Sequence, residues 1–330
     1  MKTINIVARK SVEGVSRPGR LGFTLVELLT VIAIIGMLGA ISVTTVRSAI
    51  QTAKETRTRT VVAKIDNVLT GIYEKYLYRR VKFDVTLTAP ERAFERVMVL
   101  RDLLRCDMPC TYNELTTAPK YVWNSDENHQ ATPLQDIYQD AVSSAYGNNA
   151  SIDEDVLNAE LLYLVVTNAD PEARSVFSDK DIADTNGNGL FEFVDGWGRP
   201  ICWMRWAPGL ETSDRQPRCY LDDEEVGPDD ADPLDPLGII QGVIDAGMSY
   251  TIDGVSTDDY KPGWFLVPYV YSAGSDGKYG LVTPWNCAEY SMNDPFTLAR
   301  KSQTSPPGPP PGSPDTLEYK DNIDNHTLIR

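Results

Sequence analysis

Histidine is almost missing from this chain: its 330 residues hold two, His129 and His326. They lie far apart, and neither has zinc-ligand spacing to another His or to a Cys. No G-x-S-x-G, H-E-x-x-H or phosphate-loop pattern occurs either, so an enzyme is not expected. Basic residues are also short, 31 Lys and Arg against 47 Asp and Glu, a formal net charge of -16. That balance excludes a nucleic-acid-binding surface and fits an acidic globular part. Cysteine is limited to Cys106, Cys110, Cys202, Cys219 and Cys287. The odd count leaves at least one unpaired, and an exported setting allows structural disulfides or buried thiols for the rest. Cys202 with Cys219 could tie the two ends of a loop.

One local absence says more: from Leu28 to Val46 there are nineteen consecutive residues with no charge. That is about the length of helix needed to cross a bilayer core. Thirteen of residues 23–46 are Leu, Ile, Val or Phe. At about 0.3–0.6 kcal/mol each they favour insertion by about 4–8 kcal/mol, which outweighs the cost of about 3 kcal/mol for one carboxylate, Glu27. Insertion wins. Residues 1–22 hold five basic residues against the single acid Glu13, so this leader stays cytoplasmic and the acidic bulk is exported. The run is longer than the core of a secretory signal peptide and has no A-x-A-like exit.

What is present is "RLGFTLVELL" at 20–29. It resembles the N-terminal signature of the type IV pilin and type II secretion pseudopilin superfamily: a basic leader ending in Gly22, then Phe23, then Glu27 fifth in the new chain, then the apolar helix. The resemblance implies cleavage between Gly22 and Phe23 by a prepilin peptidase, and N-methylation of Phe23 by the same enzyme. It also implies assembly with other pilin-like subunits, with Glu27 meeting the terminal amine of a neighbour. A charge within apolar helices is tolerated when it is paired. Further partners implied are membrane lipid and the inner-membrane proteins that assemble a secretion or pilus filament.

Beyond Val46, Ile50, Ala53, Val61, Ile65, Val68, Ile72 and Tyr76 recur at helical spacing, which predicts one helix over 23–83 with 23–46 in the membrane. A threonine and early proline predict a helix over 88–105, Ser151 and Glu154 in capping-box spacing predict one over 151–168, and a looser helix covers 133–146. Residues 106–132 read as irregular. Segments 84–188 therefore form a mainly helical insertion. From 189 to 300 the aromatic and β-branched runs "LFEFV", "RPICWMRW" and "WFLVPYVYSAG" predict antiparallel strands, with an acidic loop at 221–236. The proline-rich stretch at 305–315 makes 301–330 a disordered tail. The fold class expected is α+β, a long N-terminal helix packed on a head with a small antiparallel sheet.

Two short motifs extend the resemblance. "DGWGRPI" (195–201) is similar to a turn of the major pseudopilin of type II secretion, and "YVYSAGSDGKYG" (269–280) to a later segment whose relatives bind calcium. Asp276 matches one such position, but the downstream acidic pair is replaced by "LVTPWNCAEYSMND". A second calcium candidate comes from the residues alone. "DTNGNGLFEFVD" (184–195) fits D-x-[DN]-x-[DN]-G with a closing acid. Asp184, Asn186, Asn188, Glu192 and Asp195 would offer side-chain oxygens, Leu190 its carbonyl, and Gly189 the sharp turn. The alternative is an Asn/Gly turn feeding a hairpin without metal. Calcium is thus the one cofactor to look for.

These readings converge on a pseudopilin-like subunit anchored once in the inner membrane, with its head in the periplasm. A membrane-tethered or filament-tip binding module, an adhesin or receptor, is the alternative that the large insertion and acidic loop favour.

Overall fold

The computed structural model describes residues 22–81, 86–119, 131–147, 152–169, 172–210, 213, 215–216, 232–236, 238–239, 242, 246, 251–252, 255–256, 265–285, 312, 314 and 317–327. The rest of the leader, His129, Cys219, Cys287, residues 221–231 of the acidic loop and most of the proline-rich stretch lie outside them. Two compact units divide the chain, residues 1–50 and 51–330.

The first unit is the start of α1 (Leu25–Leu77). Its apolar residues are exposed on every side, from Phe23 and Leu25 through Ile35 and Leu38 to Val46. A helix apolar all round belongs in a bilayer or inside a bundle. It is long and apolar enough to cross a membrane.

In the second unit the rest of α1 buries one stripe: Thr58, Val61, Val62, Ile65, Leu69, Ile72, Tyr73 and Tyr76. These follow the three-and-four spacing of the sequence, and the helix ends at Leu77, short of the expected residue 83. The stripe joins a core with α2 (Ala89–Asp107), α4 (Pro133–Tyr146) and α5 (Glu154–Ala169). α2 begins with Pro90 in its first turn, and Glu91 Oε2 accepts the Thr88 N–H at 2.7 Å. The stretch 106–119 is not wholly irregular. It holds the short α3 (Tyr112–Thr116), anchored by Glu114, whose Oε2 lies 3.0 Å from Arg205 Nη1 in a fully buried ion pair.

The strands are short. β1 (Ile182–Ala183) pairs β2 (Glu192–Phe193) antiparallel, Ile182 opposite Phe193. β3 (Cys202–Met204), β6 (Tyr269–Ser272) and β7 (Ile323–Asp324) form an antiparallel sheet in the order β3-β6-β7. A separate pair joins β4 (Thr251–Ile252) to β5 (Val255–Ser256). The long helix, the helical layer and these small antiparallel sheets make an α+β fold that fits the pilin-like plan.

Two asparagines finish the main sheet by imitating strand edges. Asn158 on α5 accepts the Trp203 N–H at 2.8 Å and donates to the Trp203 carbonyl at 2.9 Å. Asn325, just past β7, accepts the Val270 N–H at 2.8 Å and donates to the Pro268 carbonyl at 2.9 Å. For residues 317–327, β7 and the turn before it correct the expectation of a coreless tail over 301–330. Residues 317–321 form a 3-10 turn, and Ile323, Asn325 and His326 are buried. A proline-rich stretch carries no sign that the dozen residues after it return to a sheet.

Candidate functional site

The N-terminal site is a helix start. Thr24 immediately precedes α1 and Glu27 sits in its first turn. Thr24 N–H and Oγ1–H donate to Glu27 Oε2 at 2.9 and 2.8 Å, and Glu27 N–H donates back to Thr24 Oγ1 at 3.2 Å. This is a capping box, which satisfies orphan N–H groups and puts a negative charge at the positive end of the helix dipole. The T-x-x-E spacing at 24–27 is its signal in the sequence, so Glu27 has an intramolecular task beside the intermolecular one that the resemblance implies. Gly22 and Phe23 precede the helix, and Phe23 is 85 % exposed, which leaves the Gly22–Phe23 bond outside any regular element.

Residues 17–43 match the family described as the prokaryotic N-terminal methylation motif. The chain carries a prepilin-type signal. That signal is characteristic of type IV pilin and pseudopilin precursors and supports a pilin-like chain processed as they are. It implies a prepilin peptidase as processing partner and other pilin-like subunits as assembly partners, and it fits anchoring in the inner membrane by α1. No curated protein and no solved structure matches the chain.

The second candidate of this pilin-like chain is the loop between β1 and β2. Gly187 and Gly189 turn it with φ of 75° and 94°, a region that favours glycine. Asp184 Oδ1 accepts the N–H groups of Gly187 and Asn188, and its Oδ2 that of Gly189 at 3.0 Å. Asn186 Oδ1 accepts the Asn188 N–H at 3.0 Å, and Asn188 Oδ1 the Leu190 N–H at 2.8 Å. Glu192 Oε2 accepts the Thr185 N–H at 2.9 Å. Asp184, Asn186 and Asn188 therefore share the loop, with Glu192 at the first position of β2.

Asp195 stands apart from it, which corrects its reading as the closing ligand. It is fully buried; its Oδ1 accepts the N–H groups of Trp197 and Arg199 at 2.8 and 3.0 Å, and its Oδ2 the Ser272 hydroxyl at 2.8 Å. Asp195 folds the "DGWGRPI" turn onto β6. Glu160 on α5, which no local pattern pointed to, stands nearer the loop. Its Oε1 accepts Asn186 Nδ2–H at 3.0 Å and Asn188 Nδ2–H at 2.7 Å, and its Oε2 the Tyr146 hydroxyl at 2.8 Å. Burial, then the Glu160 and Asp184 charges, push the Glu192 carboxyl up to about 7 against the pull of the Thr185 N–H. Among the described residues, no three Asp, Glu, His or Cys side chains are gathered into a metal-binding group.

Asp276 Oδ1 accepts the Lys278 N–H at 2.8 Å and closes a turn. Cys106, Cys110 and Cys202 are buried free thiols, and burial pushes the Cys106 thiol up to about 12, where it is inert.

Proposed function

We propose that this chain is a structural subunit, not an enzyme, of a type II secretion pseudopilus or a related type IV pilus-like filament. The prepilin peptidase cuts between Gly22 and Phe23 on the cytoplasmic face and methylates the new amino group, while the acidic head is exported. The single observation that carries this reading is the methylation motif at 17–43 running into a helix apolar on all sides. Neighbouring copies bury that helix in the filament. Glu27, held by Thr24 in the separate chain, exchanges part of that hydrogen bonding for the cationic amine of Phe23 on an adjoining subunit. The low dielectric strengthens the pair, and only one axial register brings the two charges together.

The head from residue 51 onward is larger than register and adhesion require, which favours a tip or minor subunit as the second reading. Copy number in sheared filaments separates the two.

Intact mass of the full chain co-expressed with a prepilin peptidase tests processing. The expected product begins at Phe23 with one added methyl group, and a retained leader overturns the reading. Glu27→Ala is expected to leave membrane insertion and cleavage intact while cutting filament yield at least about tenfold, as loss of a paired intramembrane charge implies. Wild-type yield from that variant refutes the register role.

A further inference from the structure

The β1–β2 loop gathers acidic groups that have no ion-pair partner among the described residues. Asp184 lies on it, Glu192 opens β2 at its end and Glu160 faces it from α5, and among the described residues none of the three is in an ion pair. Glu192 is completely buried, yet among the described residues its Oε1 has no hydrogen-bond partner, while its Oε2 is tied to the loop at Thr185. A buried carboxylate oxygen left bare costs about 1–3 kcal/mol or more, and native proteins satisfy such atoms. The amides of Asn186 and Asn188 are turned alike. Their nitrogens donate outward to Glu160, and their oxygens point back to the loop backbone beside the Asp184 carboxylate. Each of these oxygens has a second lone pair free of the backbone bond it accepts.

We propose that this loop binds one calcium ion through Asp184, Asn186 and Asn188 side-chain oxygens, the Leu190 carbonyl and the bare Glu192 oxygen, with Glu160 as the positioning residue that holds both amides oxygen-inward. A hard cation takes six to eight oxygens and accepts amide and carbonyl oxygens as readily as carboxylates. The site therefore needs no cluster of three acids. Water completes the shell, since Asp195 is engaged elsewhere. Magnesium is a poorer fit, because it demands stricter octahedral geometry and gives up its water reluctantly. Glu160 acts as outer-shell groups act at other metal sites, where their loss typically lowers affinity by 10–100-fold. The ion would tie α5, and through Tyr146 α4, to the β1–β2 hairpin.

The test is calorimetric titration of the full chain in detergent with calcium chloride, followed by melting of the head with calcium or with chelator. One ion per chain and a higher melting temperature with calcium are expected. Asp184→Asn should abolish binding and Glu160→Gln should weaken it 10–100-fold. Asp276→Asn should bind as the wild type does, because it lies outside the loop. Far-ultraviolet circular dichroism of each variant in chelator checks that it folds. Should Asp184→Asn not fold, the Glu160→Gln affinity decides. No calcium heat from the wild type, or binding abolished by Asp276→Asn instead, overturns the proposal. Neither result bears on processing at Gly22, so this inference and the filament reading fail separately.

Discussion

At the scale of single residues, His326 shows what burial does to a titrating group. Its Nε2 lies 3.2 Å from the Pro268 carbonyl, which can only accept, so Nε2 carries the proton and Nδ1 accepts the Ser213 hydroxyl at 2.7 Å. Ser213 Oγ in turn accepts the N–H groups of Arg215 and Gln216, so a second ring proton would face a crowded oxygen. Burial pushes the ring from 6.5 down to about 4; the Pro268 carbonyl opposes this, Arg215 adds to it, and Asp66 opposes it. On its own segment Asp324 accepts the His326 N–H. Between those two values the unfolded chain binds more protons than the folded one. The contribution of His326 is therefore complete above pH 6.5 and is lost as the pH falls towards 4, by about 3 kcal/mol in all. Glu192 titrates in the same window with the opposite sign, so the informative quantity is a difference between two curves. Head unfolding in detergent, followed by tryptophan fluorescence from pH 7.5 to 4, should decline less for His326→Gln than for wild type. Parallel declines would show that the ring is not buried neutral.

Among the elements, the "DGWGRPI" turn owes its glycines to two different causes. Gly196 has an ordinary φ, but a Cβ there would stand 2.7 Å from the Cα and carbonyl carbon of Lys54 on α1. The turn sits that close because Gly196 N–H donates to Thr58 Oγ1 at 2.8 Å and Trp197 Nε1–H to Gln51 at 3.3 Å. Gly198 has a φ of 85° with open space around it. Gly198→Ala should cost about 1–2 kcal/mol of backbone strain. Gly196→Ala should cost more, about 2–3 kcal/mol, because rigid backbone lies in the way and the turn must lift off the helix. Urea unfolding of the two variants checks the order, and equal or reversed losses would contradict this packing. The turn also locks the second motif: Arg199 donates to the Gly274 carbonyl at 2.8 Å. The two short motifs are thus one physical unit.

Across the whole molecule, what was legible in the sequence was local. Helical spacing disclosed the buried stripe of α1, and Thr88 with its proline disclosed α2. The uncharged run disclosed the membrane-spanning capacity, and the D-x-N-x-N-G spacing disclosed the loop after β1. What stayed hidden were contacts made across long stretches of chain, such as Glu160 to the loop, Glu114 to Arg205, and Asn158 and Asn325 to strand edges. Each of these residues is polar and looks like surface until the fold buries it. The last of them decides the fate of the C-terminus. Asn325 bonds to β6 and, through Nδ2, to Asp66 on α1 at 2.7 Å, while Asp321 Oδ2 accepts the N–H groups of Ser275 and Asp276 at 2.9 and 3.0 Å. A chain ending at Thr316 loses β7, the burial of Ile323 and these bonds, and leaves the edge of β6 open. Burial of one Ile at about 2 kcal/mol and several bonds at about 1 kcal/mol each total about 4–5 kcal/mol. For a head of this size that lowers the melting temperature by roughly 10 °C. An appendage without a core would leave melting unchanged on removal, so scanning calorimetry of the truncated and full chains in the same detergent distinguishes a closing strand from a tail.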